Sequence, residues 1–310
     1  MKYLDDDTVK DLLENKWSQI IDCVEEAFLD DSVEMIPKVY LDSHTQGDFR
    51  AMPVALGDYV CLKWIGVYPT NHLISEVLPT TLGTLLLNDR ETGEPLIAMD
   101  CTALTAYRTA ATSAIAAKHC APRAKNFAFI GCGLQAKYHM NAYSEVFESN
   151  GNIDVQIHDR NKKAEREMMS WLGRNLVASS YGRSKSVKDT IKNADVITTL
   201  TPSTTPYLDI HDIKSNCHIN AVGADAQGKR ELMTNVIDGA ANVICDDPIQ
   251  AIHSGELQYN EWPHLDINSL KYLLKNHKTM QLNKGISVFD STGVAIEDIA
   301  IAELIYRLSS

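Results

Sequence analysis

The stretch Asn126-Phe127-Ala128-Phe129-Ile130-Gly131-Cys132-Gly133-Leu134-Gln135-Ala136 decides the reading of this chain. An apolar run ends at Ile130, Gly131 suits a tight turn, and Gly133 lets a backbone come close to a pyrophosphate. The helix that should follow would aim its unpaired N–H groups at the phosphates. Ala136 stands in the place of the third glycine of the dinucleotide-binding fingerprint, a variant that the fingerprint tolerates. A glycine pair at a strand–helix junction is by itself often only a turn, so the neighbouring sequence has to carry the rest.

Outward from the turn the pattern is that of a βαβ unit. Lys137 to Phe147 places Met140, Tyr143, Val146 and Phe147 at roughly helical spacing. Gly151-Asn152 breaks that helix, and Ile153 to His158 reads as a second strand. Asp159, about 20 residues past the turn, stands where a carboxylate meets an adenosine ribose. A carboxylate there accepts hydrogen bonds from the ribose hydroxyls and repels a 2′-phosphate, which favours NAD over NADP. Arg160, Lys162 and Lys163 pull the other way, because cations can hold that phosphate; they also suit the solvated start of a helix. The expected cofactor is therefore NAD or NADP, with Gly131, Gly133, Asp159 and Arg160 among its contacts.

The 310 residues suggest two domains and are ample for a real core. A net charge of −12 argues against a nucleic-acid partner or an anionic membrane surface. The start Met1-Lys2-Tyr3-Leu4-Asp5-Asp6-Asp7 lacks the basic flank and apolar run of a signal peptide. No apolar stretch approaches the ~20 residues of a membrane span. Seven scattered cysteines without a C-x-x-C pair suit reduced thiols and a cytoplasmic protein. Cys132 reads as a small turn residue rather than a reactive thiol. The ten histidines show no metal-ligand spacing, so no metal site is expected.

Before the turn, a helical pattern over Asp7 to Phe28 precedes strand-like pieces at Val39-Tyr40, Asp48 to Met52 and Tyr59 to Tyr68. Leu82 to Leu87 and Leu96 to Met99 read as a hairpin around Asn88-Asp89 and Gly93-Glu94-Pro95. An Ala-rich helix from about Thr102 to His119 ends before Pro122. After Asp159, helices at Ala164 to Leu176 and Ser186 to Asn193 alternate with strands at Val196 to Leu200, His218 to Val222, Val243 to Asp246 and Ile286 to Phe289. That rhythm predicts an α/β fold with a Rossmann-type doubly wound parallel sheet over 121–292. The last helix, Ala295 to Leu308, is apolar on more than one side and should pack back on the first domain. The remainder, 1–120 and 293–310, then forms a discontinuous α+β domain.

In such folds ligands bind beyond the carboxyl ends of the strands. The loop Gly223 to Lys229 follows one of them, and Asp225 and Lys229 in it either reach a ligand or form an exposed ion pair. Asp290-Ser291-Thr292-Gly293 either faces the same cleft or caps the last helix. Lys63 interrupts an apolar strand, so it either snorkels to water or is held inside for an anion. Arg108 lies on a helix too apolar for solvent and demands an anion, from the protein or from a substrate carboxylate.

With these residues quoted, the chain resembles the ornithine cyclodeaminase/μ-crystallin family over essentially its whole length. The resemblance is carried by Arg50-Ala51-Met52-Pro53, Leu62-Lys63-Trp64, Leu104 to Ser113, Ile130 to Ala136, Ala221 to Asp225, Gly228-Lys229 and Val288 to Gly293. It implies a homodimer whose split domain binds substrate and makes the dimer contact. It implies that Lys63 and Arg108 hold the substrate carboxylate and that Asp225 lies beside the reacting nitrogen. It also implies that Thr80, Gln135, Lys229 and Ser291 line the dinucleotide site, with Leu134, Ala221 and Arg108 as further contacts.

The family divides in chemistry. Cyclodeaminases use bound NAD catalytically and release ammonia, whereas their reductase and dehydrogenase relatives transfer hydride to or from a C=N bond. Cyclodeaminases carry an acidic residue two before Met-Pro, and this chain has Arg50 there, either an exposed strand arginine or a further hold on an anionic substrate. The departure favours the alanine dehydrogenase-like branch: an NAD(P)-dependent reductase of a small 2-imino acid, such as a ketimine or Δ1-pyrroline-2-carboxylate, with Lys63, Arg108 and Arg50 on the carboxylate. An ornithine-type cyclodeaminase is the first alternative. The second is a μ-crystallin-like, NADPH-dependent binder of a small ligand, against which the retained Lys63, Arg108 and Asp225 speak.

Overall fold

In the computed structural model, which describes residues 1–43, 47–75, 78–151, 153–175, 180–276 and 284–309, the chain divides into two units. One is Met1–Thr109 with Val294–Ser310, the other Ala110–Gly293. The first contains β1 (Lys2–Leu4), α1 (Asp6–Leu13), α2 (Trp17–Leu29), β2 (Glu34–Met35), β3 (Val39–Asp42), β4 (Asp48–Leu56), β5 (Tyr59–Val67), α3 (Asn71–Ile74), β6 (Thr81–Asp89) and β7 (Pro95–Asp100). Helix α4 (Thr102–Cys120) leads into β8 (Asn126–Ile130), α5 (Leu134–Val146), β9 (Asp154–His158), α6 (Lys162–Asn175), β10 (Ser180–Arg183), α7 (Val187–Ile191) and β11 (Val196–Thr199). Then follow β12 (His218–Ala221), α8 (Thr234–Asp238), β13 (Asn242–Cys245), α9 (Pro248–Ser254), β14 (Ile267–Ser269), α10 (Leu270–Asn276) and β15 (Ser287–Asp290), before α11 (Ala295–Leu308) returns to the first unit. The division falls inside α4, between Thr109 and Ala110, and not at residue 120 where that helix ends. Pro122 marks a helix end, and an unbroken helix carries no sequence signal for a boundary within it.

The first unit is built on a sheet in the order β1-β7-β6-β5-β4-β2, with β3 also on β4. Among the described residues only β1 and β7 pair in parallel in this sheet. Alternation makes one face dry. Arg50, Met52, Val54 and Leu56 of β4 are buried, as are Cys61, Lys63 and Ile65 of β5. Register places Met52 opposite Lys63 and Arg50 opposite Ile65, so Arg50 and Lys63 are diagonal neighbours on that face. Helix α11 packs on α2, β4 and β5. It is buried nearly all round, and its acidic pair Glu297 and Asp298 goes in with the Ala, Ile and Leu residues. The single helix expected over 7–28 is two, because Asn15 adopts φ 58° between α1 and α2. Asparagine is one of the few residues that tolerate that left-handed conformation.

The second unit is an eight-stranded, wholly parallel sheet in the order β10-β9-β8-β11-β12-β15-β13-β14. From β8 the strands are added outward first to one side, as β9 and β10, and then to the other, as β11 and β12, so the crevice beyond the carboxyl ends of β8 and β11 is the switch point of a doubly wound fold. Residues Val196–Thr199, His218–Ala221 and Ser287–Asp290 are buried throughout, as central parallel strands are when both faces are covered. Asn152 and Leu176, taken as a helix break and a helix end, lie outside the described residues.

Candidate active site

The glycine turn has the geometry a dinucleotide needs. Gly131 adopts φ +103°, and a Cβ there would lie 2.8 Å from the Leu200 carbonyl oxygen, so only glycine fits. A Cβ at Gly133 would meet nothing within 4 Å, which leaves that backbone open to a ligand. Gly133 is the N-cap of α5 and offers no side chain to the first N–H groups of the helix, which stay available to an anion. Asp159, at the end of β9, accepts the Cys132 N–H through Oδ2 at 2.8 Å and the Asn161 N–H through Oδ1 at 2.7 Å. The carboxylate is thereby fixed beside the turn. Leu134 is half exposed, and the buried Oε1 of Gln135 has no hydrogen-bond partner among the described residues. Arg160 is exposed, whereas Lys162 is committed to the Asp159 carbonyl and to Glu165. Burial pushes the Cys132 thiol up to about 12, so it is an inert turn residue. An open glycine turn, an uncapped helix, an anchored carboxylate and an orphaned amide oxygen together fit a dinucleotide.

Two further loops leave the carboxyl ends of β12 and β15. Ala221 ends β12 and is wholly buried, and its carbonyl accepts the Ser291 N–H at 2.9 Å. Past it, Lys229 Nζ and Asp225 Oδ1 form an ion pair of 2.5 Å with both side chains partly exposed. Ser291 is buried, and its Oγ has no partner among the described residues. The expectation that Ser291 or Thr292 caps α11 fails, because the N-cap is Val294, with no side-chain bond. Thr292 is engaged elsewhere: its N–H and hydroxyl donate to Asp246 at 2.6 and 2.7 Å.

The cations of the first unit converge on α11. Lys63 Nζ donates to Asp298 Oδ1 at 2.7 Å. Arg108 Nη1 donates to Glu297 Oε2 at 2.5 Å, and its Nε lies 3.2 Å from Asp298 Oδ1. All four side chains are buried. Arg108 therefore has its anion from the protein, and Lys63 is held inside and does not snorkel. Among the described residues Lys63 donates only to Asp298, although an ammonium carries three donors. Burial pulls this ammonium below the ordinary lysine range, with Asp298 opposing the shift and Arg108 adding to it. Arg50 is buried, not exposed, but turns its guanidinium to Asp48 at 2.7 Å and lies 5.4 Å from the centre of the Tyr40 ring. Thr80 is exposed, just ahead of β6, and its carbonyl accepts the Tyr68 N–H.

Within one unit, then, Lys63 and Arg108 come together with Arg50 on the same sheet face. Within the other, the glycine turn gathers with Asp159, and Asp225 with Lys229. Glu297 and Asp298 escaped the sequence reading. Their signal was present as two adjacent acids at the start of a helix that is apolar on more than one side. Among the described residues no three His, Cys, Asp or Glu side chains are grouped to hold a metal ion, and no helix is long and apolar enough to cross a membrane.

The sequence model of the ornithine cyclodeaminase/mu-crystallin family matches residues 7–309. An alanine dehydrogenase of Archaeoglobus fulgidus is 36% identical over 303 residues, 93% of this chain and 89% of that protein. Among solved structures, an archaeal alanine dehydrogenase dimer with bound NAD is similar with a TM-score of 0.89, at 33% identity, over 99% of this chain and 95% of that one. The Δ1-pyrroline-2-carboxylate reductase of Thermococcus litoralis, in complex with NADH and L-proline, is similar with a TM-score of 0.90, at 26% identity, over 100% and 97%.

Proposed function

The chain belongs to the ornithine cyclodeaminase/mu-crystallin family, and from that premise we propose that it is an NAD-dependent oxidoreductase acting on the C–N bond of a small amino or imino acid. The observation that carries this reading is Lys63, a buried ammonium that keeps two donors beyond its bond to Asp298 and shares that carboxylate with Arg108. Such a pair offers a carboxylate both charge and directed hydrogen bonds in a dry setting, where they are strongest. Arg50, on the same sheet face, would take a further anionic group of the substrate. When bound, the dinucleotide would supply a hydride to the imine carbon or accept one from the amine carbon. As the C=N bond becomes a C–N bond, the nitrogen gains a proton, and Asp225, steadied by Lys229, is the group proposed to give or take it. Asp159 supports NAD over NADP, since its fixed carboxylate would repel a 2′-phosphate.

Following NADH absorbance with pyrroline-2-carboxylate, piperideine-2-carboxylate, or pyruvate plus ammonia tests the reading. Net oxidation is expected with one of them. Ammonia release from ornithine without net NADH change would instead establish cyclodeamination, which Arg50 disfavours because a cation there repels a second substrate ammonium. Silence in both assays would leave a ligand-binding protein.

A homodimer is part of the proposal. The outer sheet face of the first unit exposes Val60, Leu62, Trp64 and Leu82, a run of apolar side chains suited to a second copy. Leu62→Asp should convert a species of twice the 34.4 kDa chain mass into the single chain in sedimentation. A dimer that survives that charge would place the contact elsewhere. Seven free cysteines support a reducing, cytoplasmic setting.

A further inference from the structure

We infer that the short 3-10 turn Glu256–Tyr259, together with Glu231, is a clasp that positions Asp225 for proton transfer; the inference rests on the role proposed above for that carboxylate. The turn grips the loop after β12 with three side chains. Glu256 Oε1 accepts the backbone N–H groups of Glu231 and Leu232 at 2.6 and 3.2 Å. Gln258 accepts the Gly228 N–H at 2.9 Å and donates to the Ala226 carbonyl at 3.3 Å. The Tyr259 hydroxyl donates to the Lys229 carbonyl at 2.6 Å, and the Arg230 guanidinium lies 4.6 Å from the centre of the same ring.

The other side of the loop is pinned by Glu231 itself. Its Oε2 accepts the Gly223 N–H at 2.9 Å, while Oε1 accepts from the Thr201 N–H, the Thr201 hydroxyl and the Tyr207 hydroxyl at 2.6–2.7 Å. Gly223 has no room for a Cβ, which would meet the Thr201 carbonyl and this carboxylate. One carboxylate thus ties the loops after β11 and β12 together at the crevice. The turn is anchored in its own right, because Asp290, the last residue of β15, accepts the N–H groups of Glu256 and Leu257 at 3.0 and 3.1 Å. Asp225 is suspended between Gly223, held by Glu231, and Ala226, held by Gln258.

A connection between a strand and a helix does not need such an arrangement. Glu231, Glu256 and Asp290 are all buried, and burial raises each carboxyl above its ordinary range, so the ladder is costly to keep. Apolar packing would hold a loop as firmly. What backbone-directed carboxylates add is direction, and a group that exchanges a proton with substrate must be placed within about 0.5 Å.

The test uses the full-length protein. Gln258→Ala/Tyr259→Phe removes two of the holds at partly exposed positions, so folding should survive; Glu231→Gln removes one acceptor from the pinned end. Each variant is expected to lower kcat, by about ten-fold for the double variant and about a hundred-fold for Glu231→Gln. The KM for the imino acid and the Kd for NADH should stay within about two-fold of wild type, and the solvent isotope effect on kcat should rise as proton transfer becomes limiting. If the double variant keeps wild-type kcat while Asp225→Asn is inactive, the clasp is wrong and the role of Asp225 stands. If Asp225→Asn itself turns over normally, the role of Asp225 falls and the clasp with it. Loss of kcat only in proportion to lost folded protein would also overturn the inference.

Discussion

Asp225→Asn is expected to lower turnover by about 10²–10⁴-fold, the usual worth of a positioned acid or base, while NADH binds as in the wild type. The asparagine keeps the shape of the side chain and an oxygen facing Lys229, so the loop should stay in place. What disappears is the ability to hold and release a proton. The glycine turn is a separate construction: the Gly131 N–H donates to the His158 carbonyl, and Asp159 accepts the Cys132 and Asn161 N–H groups, none of them in the loop that carries Asp225. Binding, read by fluorescence titration with NADH, should therefore separate cleanly from turnover, read by absorbance. Turnover within a few-fold of wild type would remove Asp225 from the chemistry and leave proton exchange to solvent.

How much of this was legible in the residues depends on how each element is stabilised. The central strand β8 declares itself through the apolar run Phe127 to Ile130, whereas β11, β12 and β15 are buried throughout yet carry Thr198, Thr199, His218, Asn220, Ser287 and Asp290, and show chiefly through the alternation of helix and strand. Strands β1, β10 and β14 have no such run; they are three or four residues long and owe their conformation to the strand beside them. Lys63 and Arg108 stand out as charges in apolar settings, but their partners do not. Asp298 is 235 residues from Lys63, and Glu297 is 189 residues from Arg108. Nothing local couples them. The cap of α11 misleads for a different reason. Ser291 and Thr292 suit an N-cap by type, yet Asp246 already takes the Thr292 hydroxyl and the Thr292 and Gly293 N–H groups. The clasp around Asp225 is carried by a 3-10 turn of four residues, too short for any periodicity to show.

The buried ion pairs also decide how Arg108 should be tested. Arg108→Ala takes a guanidinium from between Glu297 and Asp298, both fully buried. A buried carboxylate left without its cation costs about 3–5 kcal/mol of stability, so any loss of activity in that variant mixes substrate binding with damage to the fold. Neutralising the abandoned acid separates the two. In Arg108→Ala/Glu297→Gln the side chain opposite the deletion no longer carries charge, and Asp298 retains Lys63. Urea unfolding should recover most of the lost stability. Affinity for the imino acid should not recover: losing a charge-assisted bond to its carboxylate costs about 1.5–3 kcal/mol, a roughly 10–100-fold rise in KM. Stability regained with affinity still lost assigns Arg108 to the substrate as well as to Glu297. If the double variant binds the imino acid as tightly as wild type, the arginine serves only α11, and Lys63 alone must hold the carboxylate.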